Sequence, residues 1–192
     1  MNGVLVLLAV QGALGAFDTL YYHEYRARLV AGGARTRPEL WLHAVRALVY
    51  AILFATLPLF AWCGTWSLLL WALIAFEIVV TMADFAIEVR TRGAEGVAAG
   101  ERVTHGLMGV VYGAMLAGLA PHALHWSERP TAFVALDPAP PPGLCYLLLA
   151  MALGVFLSGV RDAYAAAGGR KGAFPWNARA GTADASAGPR VS

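Results

Sequence analysis

The sequence predicts an all-α integral membrane protein of about five transmembrane helices, and three observations carry that prediction. The 192 residues are 59% hydrophobic and only 14% charged, too apolar for an ordinary soluble domain. Five apolar segments reach the roughly 17 to 25 residues needed to cross hydrocarbon. The joining segments alternate between Arg-rich and Arg-poor, as expected where short basic loops stay on the cytoplasmic side.

The first span covers residues 3–22. No basic residue precedes its apolar run and Asp18 interrupts it, so it reads as a retained helix and not a cleaved signal. The loop 23–40 carries Arg26, Arg28, Arg35 and Arg37, and spans 41–62 and 66–87 follow. The loop 88–102 carries Arg90, Arg92 and Arg102. In span 103–120, the small residues Gly106, Gly109, Gly113 and Ala117 form an expected close-packing face. The segment 121–142 holds Pro130, Pro138, Pro140, Pro141 and Pro142, too many for a continuous helix, and is expected to cap the outer end. Span 143–160 contains no ionisable residue and is expected to pack on the bundle or meet lipid, outside the chemistry.

Residues 1–160 form the expected membrane domain and 161–192 a cytoplasmic tail. The tail is rich in Gly, Ala and Ser from about Gly168, with Phe174-Pro175-Trp176 placed to touch the membrane or the protein. The Arg distribution puts the N-terminus outside and the C-terminus in the cytoplasm of an inner membrane of bacterial type. Trp41, Trp62, Trp66 and Trp126 are the expected interface anchors. The net charge of +2 is a topology signal and gives no support to nucleic-acid binding. Cys63 and Cys145 fall at outer ends of spans, where a disulfide and a pair of separate thiols are both open readings.

The motif that carries chemistry occurs twice. Glu39, His43 and Tyr50 repeat the spacing of Glu101, His105 and Tyr112, 62 residues apart, and Glu24-x-Arg26-x-Arg28 is echoed by Glu88-x-Arg90-x-Arg92. At 100° per residue each Glu/His/Tyr set lies on one helical stripe, as do Glu77, Asp84 and Glu88 on the third span. Two repeated hairpins would then build an antiparallel four-helix bundle from the first four spans. Glu24, Glu39, Glu88 and Glu101 fall near the cytoplasmic interface, and His43, His105 and Asp84 one turn deeper. Glu77, Tyr50 and Tyr112 lie about 16 Å in at 1.5 Å per residue.

Ionisable groups at such depth mark function, because burying them without a partner is costly. Bound cations offset that cost, and carboxylates with a few imidazoles suit iron, manganese or zinc. The set Glu24, Glu39, His43, Asp84, Glu88, Glu101 and His105 is therefore the candidate metal-ligand inventory. Asp18 or His23 stands ready to replace or supplement Glu24. Asp18 and Glu24 lie about 120° apart on an ideal helix, so both reach one site only if the helix bends between them. Arg46 is expected to pair with Asp18, Asp84 or Glu77. His122, His125 and Glu128 form a second, outer cluster read as a solvated loop.

The ligand plan resembles that of the ferritin-like helical di-iron and di-manganese carboxylate proteins. In these, two helices each supply one Glu and two others each supply a Glu/His pair. This chain spaces its pairs as Glu-x-x-x-His where the family has Glu-x-x-His. The resemblance implies two metal ions, with iron the leading choice. It also implies oxidoreductase chemistry with O2 or peroxide, Glu residues bridging, and His43 and His105 each on one metal. A hydrophobic substrate or quinol would enter from the bilayer toward Tyr50, Tyr112 and Glu77, the candidate catalytic groups, with an electron-donor protein as a further partner. Two other readings stay open: a b-type haem held by His43 and His105, and a small metal-ion or proton transporter along Glu77, Asp84 and the His layer.

Overall fold

The computed structural model describes residues 1–91 and 96–169. Arg92 and the aromatic segment 174–176 lie outside the described residues. The protein is mostly helical, and five of its helices are long and apolar enough to cross a membrane. Helix α1 (Asn2–Phe17) runs without a break into a π-helix, Asp18–Arg26, and a 3-10 segment, Leu29–Arg35, leads to α2 (Arg37–Thr56). Strand β1 (Phe60–Cys63), α3 (Thr65–Thr91), α4 (Ala99–Ser127), β2 (Ala132–Ala135) and α5 (Pro142–Ala166) complete the chain.

The helices differ from the expected spans in informative ways. The second stops at Thr56, and residues 60–63 pair antiparallel with 132–135, Phe60 opposite Ala135 and Cys63 opposite Ala132. Trp62, within the first of these strands, and Trp126 are buried, whereas Trp41 and Trp66 are exposed. Two of the four expected interface anchors are thus core residues. The Pro-rich segment follows α4 only after Ser127, so His122 and His125 lie on helix and not in a loop. Cys63 and Cys145 are both free thiols.

Neighbouring helices contact in the order α1, α4, α3, α2, α5 and back to α1. Helix α5 therefore packs on both α1 and α2. Its close approach to α2 depends on Gly159, where an added Cβ would stand 2.7 Å from the Ala47 Cβ and 3.3 Å from the Ala44 carbonyl oxygen. Gly106, Gly109 and Gly113, by contrast, have no neighbour among the described residues within 4 Å of an added Cβ. Among those residues the small face of α4 is not a packing face, because α4 turns its Met108 and Met115 side inward instead. Gly159→Val is expected to lower stability by about 1–3 kcal/mol through overpacking. Gly113→Ala, free of contacts, is expected to leave the thermal midpoint in detergent unchanged or raised.

Burial is inverted relative to a water-soluble protein. Val79, Val89, Val103 and Val110 are 65–71% exposed, while Glu24, Glu39, Glu77, Asp84, Glu88 and Glu101 are at most 2% exposed. Apolar side chains facing outward over the whole length of the helices suit lipid, and polar groups gathered inside are what hydrocarbon demands. The interior is divided along the helices. Leu5, Leu8, Leu53, Leu57, Leu70, Met115 and Leu119 fill the half next to the two-stranded sheet, and the buried charges occupy the other half.

Candidate metal centre

The π-helix decides which residues of the first span face the interior. Asp18 and His23 are five residues apart, about 140° apart on an ideal α-helix. A π-helix closes i→i+5 hydrogen bonds and brings such residues to one side. The bond from the Ala27 N–H to the Tyr22 carbonyl oxygen, at 2.8 Å, has that five-residue spacing. Asp18, His23 and Glu24 are all buried as a result. The widened turn is also held close to the start of α4, where Gly100 sits against the Tyr22 hydroxyl. The adjoining Glu101 is buried.

Asp18, His23, Glu101 and His105 form a group in which one ligand atom from each lies within 4.8 Å of all the others. The Asp18 Oδ2 is 3.3 Å from the His23 Nε2 and 3.2 Å from the His105 Nε2. The Glu101 Oε1 is 3.3 Å from the His23 Nε2. Glu88 borders the group, with its two oxygens 3.6 Å from His23 Nε2 and 3.8 Å from His105 Nδ1. Phe85 stacks on the His105 ring at 4.8 Å and fixes its plane. Asp18 Oδ1 and both His23 ring nitrogens have no hydrogen-bond partner among the described residues.

These separations are informative. Charge-assisted N–H···O bonds run at about 2.7–2.9 Å, shorter than any of them. Two ligands of one tetrahedral ion, each bonded at about 2.0–2.1 Å, stand roughly 3.3 Å apart. Three pairs in the group, Asp18–His23, Asp18–His105 and His23–Glu101, are spaced as co-ligands are, and the others lie within 4.8 Å. One imidazole from each of two helices, His23 buried and His105 half-buried, with carboxylates between them, is a donor set suited to zinc, iron or manganese.

The remaining candidates lie beside this group. The His23 ring stacks on His43 at 4.5 Å and 13° and stands edge-on to His105 at 6.4 Å. His43 Nε2 is 3.3 Å from Asp84 Oδ2, which also accepts a hydrogen bond from Arg46 Nη1 at 2.9 Å. Arg46 Nε lies 3.7 Å from Glu77, and Glu77 accepts a bond from the Thr81 hydroxyl at 2.7 Å. Of the partners expected for Arg46, Asp84 and Glu77 are found. Tyr50 and Tyr112 meet edge to face at 6.4 Å. Glu39 is fully buried. Glu24, expected among the ligands, is ion-paired with Arg161.

Arg161 and Asp162 are the residues that the sequence reading missed. Helix α5 runs six residues past Val160, and its last turns carry Arg161 to Glu24, with Asp162 buried alongside. An Arg-Asp pair directly ending a long apolar run was the available signal. The outer cluster is separate: the N-terminal amine lies 3.0 Å from His122 Nε2. Comparison of the chain with family models, with curated proteins and with solved structures finds no match.

Proposed function

We propose that this chain is a membrane-embedded metal oxidoreductase whose first metal is held by Asp18, His23, Glu101 and His105. The observation that carries the reading is the convergence of these four ligand atoms within 4.8 Å, three of their pairs at 3.2–3.3 Å, with Asp18 and His23 otherwise short of partners. A second metal belongs beside it. His43 and Asp84 would hold it together with carboxylates from Glu39 and Glu88, and Glu24 would join them on leaving Arg161. Bound there, a pair of iron ions supplies redox chemistry toward O2 or peroxide. The protein's own groups hold the ions in a water-poor interior, with Tyr50, Tyr112 and Glu77 on the approach from the bilayer.

Two features favour this reading over its rivals. The His23 ring contacts both His43 and His105, so a haem held by those two imidazoles would first have to displace it. Arg46 bridges Glu77 and Asp84, which puts a fixed positive charge on the route that a transported cation would take.

Elemental analysis and an absorption spectrum of protein purified without added metal test the proposal. About two irons per chain with no Soret band is the expected result. A Soret band, or fewer than one metal ion of any kind per chain after growth in metal-replete medium, would sink it.

A further inference from the structure

A cavity of about 350 Å³ lies between α1, α2 and α5, with Asp18, His23, His43, Arg46 and Asp162 at one pole. It reaches the lipid-facing surface at Leu20, which lines it and is 53% exposed. Its size falls at the lower end of small-molecule sites. Gly12, Gly15 and Gly154 help to form its walls, with Phe54, Met108 and Met151. Among the described residues, no neighbour lies within 4 Å of a Cβ added at Gly154.

The second pole is polar too. Gln11 lines the cavity, is 4% exposed and donates from Nε2 to the Tyr50 hydroxyl at 3.4 Å. Its Oε1 has no hydrogen-bond partner among the described residues. Exchanging the two amide atoms would satisfy the oxygen from Tyr50 and orphan the nitrogen, so one amide atom lacks a partner either way. A buried polar atom left so costs about 1–3 kcal/mol. A ligand hydroxyl, which both donates and accepts, would remove that cost in either orientation.

Gln11 and Asp18 are seven residues apart, about 10 Å along the helix at 1.5 Å per residue. A six-membered ring with hydroxyls at opposite ends, plus a hydrogen bond of about 2.8 Å at each, spans such a gap. Its tail can leave toward lipid past Leu20. We infer that the cavity binds a quinol: a para-dihydroxylated ring with a hydrophobic tail, one hydroxyl on Gln11 and the other facing Asp18, His23 and His43. This names the substrate class of the proposed oxidoreductase and rests on that reading for its consequence. Each quinol leaves as quinone after giving up two protons and two electrons, and two quinols reduce one O2 to two waters.

Binding of decyl-benzoquinol to the full chain in nanodiscs, without oxygen, tests the site, with metal content measured on the same samples. Gly154→Leu fills the cavity and is expected to weaken binding at least tenfold. Gln11→Leu is expected to weaken it about fivefold, the value of one neutral hydrogen bond. Gly113→Leu, at a position equally open but on the other face of the bundle, is expected to bind as wild type does. The dimethyl ether of the same quinol is expected to bind wild type at least fivefold more weakly. Gly154→Leu binding as tightly as Gly113→Leu, or ether and quinol binding alike, would overturn the inference. Metal-loaded protein that shows either result keeps the metal reading and loses the quinol site. Metal-free protein that shows the expected pattern keeps the site and loses the oxidoreductase.

Discussion

His23→Ala and Asp18→Ala are each expected to weaken metal binding about 100-fold or more and to abolish the stabilisation that metal confers. Groups that merely orient a ligand are worth 10–100-fold in metal affinity, so a ligand itself should exceed that range. His23 is the stronger test, because its Nε2 stands 3.3 Å from both Asp18 and Glu101. A ligand present at about 1,000 times its dissociation constant stabilises the folded state by roughly 4 kcal/mol. Chelation should therefore lower the thermal midpoint of the wild-type protein clearly and that of either variant hardly at all. His122→Ala, in the outer cluster, should behave as wild type in both metal content and chelator response. Wild-type occupancy in His23→Ala would remove the proposed first metal from its place. A midpoint indifferent to chelator in every protein would remove metal from the folding equilibrium altogether.

Why Asp18 and His23 lead this prediction, when Glu24 headed the ligand inventory, is a matter of helix winding. Apolar length reveals the helices well, since hydrocarbon requires it, and the stripe of Glu101 and His105 is an ordinary α-helical spacing that the structure keeps on one side of α4, with Glu101 buried and both residues in the ligand group. The first span departs from α winding at Asp18. Positions computed at 100° per residue lose their meaning from there on. Pattern alone pointed to the need for a bend, through the 120° between Asp18 and Glu24, but not to its form. The two-stranded sheet escaped for a similar reason: Phe60–Cys63 continues an apolar run, and its pairing with the distant Ala132–Ala135 distinguishes it from helix. Gly106, Gly109 and Gly113 show the converse, a packing pattern that meets no neighbour among the described residues.

The buried charges also explain why α5 is part of the site and not an appendage. Its apolar body faces lipid at Leu153 and Leu157, yet its end is drawn inward by Arg161 and Asp162. Glu24 could not remain ionised at 1% exposure without a cation close by. Arg161 provides one from a helix distant in sequence. The same contact ties the end of α5 to the π-helix, and Asp162 beside it lines the polar pole of the cavity.

Arg161→Ala is accordingly expected to destabilise the protein by about 3–5 kcal/mol, the range for removing one partner of a buried ion pair. Two carboxylates depend on it. Its Nη2 donates to Asp162 Oδ1 at 2.9 Å and to Glu24 Oε1, and the side chains of Asp162 and Glu24 are 5% and 2% exposed. Arg161→Lys keeps the charge but not the planar fork, so it should fall between wild type and Ala. The decisive comparison is the double variant Arg161→Ala with Glu24→Gln, which removes both charges and should recover more than half of the loss, because contacting residues couple. Denaturation in mixed detergent micelles, followed by loss of helical signal, measures all four proteins. Should Arg161→Ala fall within about 1 kcal/mol of wild type, as exposed ion pairs do, the pair holds nothing together. In that case α5 is anchored by its packing on α1 and α2.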